Sequence, residues 1–401
     1  MSRASSPSAT ADSGAHAIAV LRRQLDRSRL AVAQSQGLKR GKADPFNTAA
    51  RGFCRLIAVE QDILTLQAEA DRRDEATQAI QDGEEVEPLS VEEQREADRT
   101  HRSYCLLLRL VTDLERALSG PTSDLEVMLK KIQHAGNTAR SEDIMSIRAF
   151  LAQALSNAPY NCHPPLDPRD RSDRGLQNPV TGALLCPISF DIKDPNTLSK
   201  VRNGDPDYLL GSDFFLHYLY ARGAGNPEDV TEGFLRSALL VEAYRTVFIS
   251  KRRSEDEDSD SEGNEEEAPP VKKRKLQQGT EKKPSTKPNV ATLLRMDGQV
   301  TPRSIAYIAV LVHFNLTDAT QWRRQVYGVN YGALYNFIVD YFEDFDETTE
   351  VGKLAQANAQ DLLKWWNRKI FPGNFFAKVN VQASRNKLAA QLAAKVAANA
   401  V

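Results

Sequence analysis

Apolar positions along this chain recur at helical spacing, in blocks separated by polar or proline-rich stretches. Ile18, Leu21, Leu25 and Leu30 predict a first helix over about Ala15–Gln34. Asp44-Pro45 is a helix start, and Phe53, Leu56, Ile57, Ile63, Leu64 and Leu66 predict one long helix from there to about Ile80. Gly83–Pro88 reads as a turn. Ser90-Val91-Glu92-Glu93 carries the capping-box pattern, in which Ser caps the helix start and Glu reaches back to it. The helix that follows is expected to end near Leu118, with Leu107, Leu110, Val111 and Leu114 inside. Two long helices joined by a short turn form an antiparallel helical hairpin. A coiled-coil arm is the alternative, but it needs heptads sustained over about three or four repeats, and these are absent. Shorter helices over Ser123–His134 and Ser141–Ser156 complete an N-terminal helical region, residues 15–156.

Pro159, Pro164, Pro165, Pro168, Pro179, Pro187 and Pro195 rule out a long helix over residues 157–206. Asn178–Gly182 reads as a turn before the apolar Ala183–Cys186, so a short β-hairpin or an irregular connection is expected there. Helical periodicity then resumes. Asn226-Pro227-Glu228-Asp229 reads as a helix start, followed by Leu235, Leu239, Tyr244, Val247 and Phe248. Thr301-Pro302 opens a helix apolar on nearly all sides, which predicts burial. A further helix is expected over about Tyr331–Phe345, and another carries Leu354, Leu362, Leu363, Trp365 and Trp366 and stops at Pro372-Gly373. Residues 207–250 and 289–372 thus form a split helical domain. Residues 373–401 are an Ala-rich tail in which Leu388, Leu392 and Val396 suggest a short helix.

The expected fold class is mainly α: a helical hairpin or bundle region plus a C-terminal multi-helix domain interrupted by a disordered charged insert. That insert, residues 251–288, has almost no apolar side chains and cannot join a core. The Ser/Ala-rich residues 1–14 are likewise expected to be disordered, and they lack a secretory signal pattern.

Charge changes the picture only locally. The chain has 52 Lys and Arg against 54 Asp and Glu, so no global field favours nucleic acid or an anionic membrane. No run of about 18 apolar residues exists, so no membrane partner is expected. Four widely spaced cysteines, Cys54, Cys105, Cys162 and Cys186, fit a reducing compartment. The insert, by contrast, is strongly segregated. Lys251-Arg252-Arg253 precedes an acidic run, and Pro269-Pro270 precedes Lys272-Lys273-Arg274-Lys275. An extended cationic cluster is what a nuclear import receptor reads, so Lys272, Lys273, Arg274 and Lys275, assisted by Lys251, Arg252 and Arg253, are the candidate import signal, with the nucleus as the expected compartment. Ser254, Ser259 and Ser261 lie among carboxylates and are candidate phosphorylation sites; phosphate there would offset the basic clusters.

Candidate chemistry is sparse. No Gly-rich phosphate loop, nucleophile elbow or kinase signature occurs, and no catalytic residue or cofactor is expected. His101 and Cys105 share a helix face, and Cys162-His163 and Cys186 fall in the proline-rich stretch, but none has the paired spacing of a zinc site. Asp340, Glu343, Asp344, Asp346 and Glu347 raise a metal-dependent hydrolase, against which a solvated turn is the expected reading. Trp322-Arg323-Arg324 and Trp365-Trp366-Asn367-Arg368-Lys369 place bases beside aromatics, so Arg323, Arg324, Arg368 and Lys369 are candidate nucleic-acid contacts; the competing expectation is buried Trp with solvent-facing cations.

Glu232–Leu240, Asn289–Leu294, Thr301–Ala309 and Leu362–Pro372 together resemble an expanded family of mushroom-type (basidiomycete) fungal proteins with a domain of unknown function, over about residues 207–372. The resemblance implies a fungal source and a helical domain, and it brings no catalytic residues. The expected function is a non-enzymatic nuclear protein-interaction module, with an import receptor and a further protein as partners. The alternative is a nucleic-acid-binding component of a mobile-element or chromatin complex.

Overall fold

The computed structural model describes residues 44–119, 121–250, 288–374 and 385–391. The expected helix over Ala15–Gln34, the charged insert and most of the C-terminal tail lie outside them. The chain divides into two compact units, Met1–Thr48 and Ala49–Val401. The fold is mainly helical, and a two-stranded antiparallel ladder, β1 (Gln325–Val326) with β2 (Val329–Asn330), is the sheet among the described residues.

The expected helix from Asp44 to Ile80 is three helices: α1 (Pro45–Ala50), α2 (Phe53–Leu56) and α3 (Ile63–Gln81). Its break at residues 57–62 is held by distant donors. Tyr335 Oη and a guanidinium nitrogen of Arg303 donate to the Ile57 carbonyl at 2.9 and 2.7 Å, and Arg140 donates to the Val59 carbonyl. Asp62 then caps α3, accepting from the Leu64 amide at 2.9 Å. A local apolar pattern cannot show such a break, because the bonds that stabilise it come from far along the chain.

α4 (Val91–Leu110) opens with the expected capping box between Ser90 and Glu93. It ends before Val111, and a separate α5 (Asp113–Leu118) follows. α3 and α4 pack as the expected antiparallel hairpin. Ala70 on α3 and Ala97 on α4 are small and buried, and Arg73 ties Glu69 of its own helix to Asp98 of the other. The two helices expected over Ser123–His134 and Ser141–Ser156 are instead one continuous α6 (Thr122–Ser156). Gly136, in the stretch expected to separate them, is a packing site inside the helix. A Cβ there would lie 3.1 Å from Cys54 Sγ and 3.3 Å from Phe53 Cβ, so its missing side chain lets α2 lie against α6.

Within residues 157–206, expected as a hairpin or irregular connection, two short helices form: α7 (Pro179–Leu185) and α8 (Thr197–Arg202). Asn178 accepts from the Val180 and Thr181 amides and Pro179 takes the first helical position, so the motif read as a turn is a helix start. The converse holds at Asn226-Pro227. Asn226 Oδ1 accepts from the Glu228 amide and Asp229 Oδ1 from the Thr231 amide, two successive Asx turns that compete with helix. Leu235 then takes φ +54°, and α9 (Ala238–Tyr244) starts only after it, continuing as a π-helical turn over Arg245–Ile249.

After α10 (Val290–Leu293) comes α11 (Pro302–Leu316), the centre of the fold. Thr301 and Ser304 cap its start reciprocally, and every residue from Arg303 to Leu316 is buried. α12 (Tyr331–Glu343), α9, α7, α6 and α2 all pack on it, so helices from both sides of the proline-rich stretch share one core. Two buried arginines sit at its C-terminal end: Arg174 donates to the Asn315 carbonyl, and Arg171 donates to the Asn315 side-chain oxygen and to the Ala319 carbonyl just beyond the helix. Cations at that end complement the helix dipole. α13 (Glu350–Ile370) closes the unit, its Trp366 buried and donating to the Leu235 carbonyl at 3.1 Å. In the tail, residues 385–391 are helical and exposed.

Two outcomes follow from this packing. Gly136→Val is expected to lower stability by about 1–3 kcal/mol in urea melts, as overpacking does; a Gly on a solvated face would show no such loss. His313 is fully buried against Tyr331 Oη at 3.2 Å, and burial lowers its pKa from 6.5 to about 3. An unfolded chain therefore binds the extra proton between those values, and stability falls as pH drops from 6.5 towards 3, by at most about 1.4 kcal/mol per pH unit for this group. Urea midpoints against pH should show that slope in the native chain and a shallower one in His313→Gln.

Candidate interaction cleft between hairpin and split domain

α4 meets the C-terminal half of α12 through charge. Arg95, Arg99 and Arg102 recur along one face of α4, and Asp340, Glu343 and Asp344 along the facing side and end of α12. Arg99 reaches Asp340 Oδ2 at 2.6 Å, Arg95 lies 2.5 Å from Asp344 Oδ2, and Arg102 lies 3.3 Å from Glu343 Oε2. Beneath them is Arg303, almost fully buried. Its Nε and one terminal nitrogen each donate to Glu343 at 3.0 Å, a two-pronged pair, while the other terminal nitrogen donates to Ser103 Oγ at 2.6 Å and to the Ile57 carbonyl. One side chain thus joins α11, α12, α4 and the break after α2.

Above this interlock an open cleft of about 440 Å³ runs between the first turns of α4 and the middle of α12. Glu96, Asn336, Phe337 and Asp340 line it, with the Arg95 and Arg99 pairs at its edge. Several of these groups are unengaged. Glu96 and Asn336 make no side-chain bond among the described residues, and Asp340 Oδ1 is buried without a donor although Oδ2 has Arg99. Burial raises the Asp340 carboxyl above the usual carboxylate range, against the pull of Arg99. Phe337 forms the apolar part and is continuous with a half-buried aromatic cluster, its ring 5.4 Å from Phe215 and 5.5 Å from Phe214. The cleft therefore offers acceptors, an amide and an aromatic ring.

The acidic group read as a solvated turn is in large part this interlock. Asp340, Glu343 and Asp344 face arginines; Asp346 accepts from Thr348, and Glu347 from Gln356 at 2.8 Å. Among the described residues no cluster of His, Cys, Asp or Glu is arranged to hold a metal. His101 and Cys105 do adjoin on α4, at 3.9 Å. Cys162 contacts Asn178, and burial pushes the Cys54 and Cys186 thiols up to about 11 and about 12, which opposes thiolate chemistry.

The candidate nucleic-acid contacts are solvent-facing and lie on two separate elements. Trp322 packs on Phe314 and Tyr331 beneath the Arg140 guanidinium, while Arg323 and Arg324 are exposed, Arg324 3.6 Å from Glu60. At the end of α13, Trp366 is buried, Arg368 is exposed, and Lys369 Nζ lies 5.7 Å above the Trp365 ring. No contact links the two groups among the described residues. The import residues Lys251, Arg252, Arg253, Lys272, Lys273, Arg274 and Lys275, and Ser254, Ser259 and Ser261, lie outside the described residues.

The profile of a family of unknown function, DUF6698, matches residues 134–371. The chain belongs to this family. No curated protein and no solved structure matches it. The DUF6698 domain begins well before residue 207, where the sequence resemblance started. The physical reason is visible in α6 and the loop after it: Asp143 on α6 accepts from Arg55 and from Tyr307 of α11, and Arg171 and Arg174 hold the other end of α11. The core of α11 is incomplete without them. The cleft straddles the domain edge, with α12 inside the match and α4 before it.

Arg303→Ala leaves Glu343 facing a buried void and is expected to cost about 3–5 kcal/mol. Arg303→Lys keeps the charge but cannot fork onto Glu343 while reaching Ser103 and Ile57, so it should also destabilise clearly. Thermal or urea unfolding of both variants checks this; a Lys variant as stable as the native chain would contradict the assigned geometry.

Proposed function

We propose that this DUF6698 protein, of mushroom-type fungal source, is a non-enzymatic nuclear protein-interaction module, and that the α4–α12 cleft is its docking site. The observation that carries this reading is the convergence of unengaged groups on one cleft: Glu96, Asn336, the Phe337 ring and the buried Asp340 Oδ1. Directional acceptors beside an aromatic ring suit recognition of a side chain. The non-enzymatic reading is supported by the condition of the buried titratable groups. Asp143 is held by Arg55 and Tyr307, His313 by Tyr331, and the shifted thiols are protonated.

A photo-crosslinking residue at Asn336 tests the docking reading. Discrete protein adducts in the nuclear fraction are expected from Asn336 and not from a control at Lys364 on α13. Equal adducts from both positions would contradict it. The rival reading, nucleic-acid binding, is favoured by the exposure of Arg323, Arg324 and Arg368. It requires a DNA or RNA mobility shift that collapses with salt, because released counterions drive phosphate contacts.

For localisation, Lys272, Lys273, Arg274 and Lys275 are the proposed import signal, with Lys251–Arg253 assisting. Changing all four to Ala should move a fluorescent fusion towards the cytoplasm without lowering its melting temperature. A fusion that stays nuclear after both basic clusters are removed would refute the signal.

A further inference from the structure

We propose that the α3–α4 hairpin tip and the cleft it leads into dock a Lys/Arg-rich segment bearing aliphatic side chains on a partner protein. This rests on the interaction-module reading and specifies the chemistry of the partner.

Charge is nearly balanced over the whole chain, yet from Asp74 to Glu93 there are eight acids and no lysine or arginine. The acids at the tip, Glu84, Glu85 and Glu87, form no ion pair or side-chain hydrogen bond among the described residues, so their field is uncompensated. The same stretch exposes large apolar side chains: Ile80 is 64 % exposed, Val86 41 %, Leu89 37 % and Val91 76 %. Solvated acids interleaved with exposed aliphatics form a surface that is both sticky and selective by sign.

The surface does not end at the tip. Val91 opens α4, and the next residues on that helix, Glu92, Glu93 and Glu96, line the cleft. Glu93 is engaged in the capping box, but Glu96 is unpaired, and across the cleft Asp340 Oδ1 lacks a donor. A guanidinium or ammonium entering there meets two carboxylates and the Phe337 ring, a combination that suits a cation. The aliphatic neighbours of such a cation would reach the apolar tip.

The sign of the charge disfavours the other occupants. A second copy in a two-fold tip-to-tip contact would set the acidic stretch against itself. Nucleic acid and anionic membranes are repelled by the same field.

The test uses the full chain and a labelled synthetic peptide of Lys, Arg, Leu and Val, read by fluorescence anisotropy. Binding is expected at low salt and should weaken about tenfold or more as salt rises through the physiological range. The charge-reversed variant Glu84→Lys, Glu85→Lys, Glu87→Lys should lose the basic peptide by at least about tenfold and gain a matched peptide of Glu, Leu and Val. Loss of folding cannot produce that exchange. Val86→Ser with Leu89→Ser should weaken the basic peptide several-fold, and Asp340→Asn should do the same from the cleft side, while Asp361→Asn on α13 should have no effect. Absence of binding by the native chain would overturn the proposal. So would equal binding by the native and charge-reversed chains, or undiminished binding of a control peptide with Gln at every basic position. If the peptide fails while Asn336 still crosslinks a protein, the basic-partner inference falls and the interaction-module reading stands.

Discussion

The buried guanidinium of Arg303 is the constraint on which the arrangement of helices depends. It sits in the first turn of α11, where the helix dipole disfavours a cation, and it is removed from water. A charge so placed costs several kcal/mol unless its donors are met. They are met by groups from separate parts of the chain: the Glu343 carboxylate on α12, Ser103 on α4, and the Ile57 carbonyl. Each partner therefore has a fixed position relative to α11. The break after α2, the end of α12 and the inner face of the hairpin all converge on one planar group whose geometry tolerates little displacement.

The cleft is a consequence of that convergence. Charged side chains, with Arg303 beneath them, span from α4 to α12 at the level of Glu343, so the helices meet there through long side chains and leave space towards the middle of α12. A seam of Leu against Leu would have closed it. Arg95, Arg99 and Arg102 are engaged with α12, and among the described residues Glu84, Glu85 and Glu87 nearer the hairpin tip have no ion-pair partner. Structural ion pairs deep in the interface and an uncompensated acidic surface farther out are two results of one distribution of charge along α4.

Several features could be read from local pattern alone, because the forces that set them act within a few residues. The Ser90 capping box, the Thr301-Pro302 start, the stop before Pro372 and the all-round apolar composition of α11 are of this kind. So was the hairpin, which needs only two helices and a turn. Part of the candidate site was also legible in principle. Arg95, Arg99 and Arg102 repeat at helical spacing, and so do Asp340, Glu343 and Asp344, which makes two faces of opposite sign; nothing local, however, says that one meets the other.

What tertiary structure alone decided are the places where distant groups outvote local preference. The stretch between His134 and Ser141 reads as a separation between two helices, yet it is helical throughout, and Gly136 within it lacks the side chain that would keep α2 away. Residues 57–62 carry an apolar pattern that continues a helix, yet they are unwound because Arg303, Tyr335 and Arg140 satisfy their carbonyls. Asn178-Pro179 and Asn226-Pro227 share one local signal and have opposite fates. The first leads into apolar residues that the core buries as a helix; the second leads into Asp229, Gly233 and a left-handed Leu235 that the core holds as turns. The sequence by itself determined a mainly helical chain with a charged insert and a buried central helix, since periodicity and capping are short-range. The course of the backbone between helices and the identity of the cleft depended on which distant donors and side chains arrive, and that is a property of the folded chain.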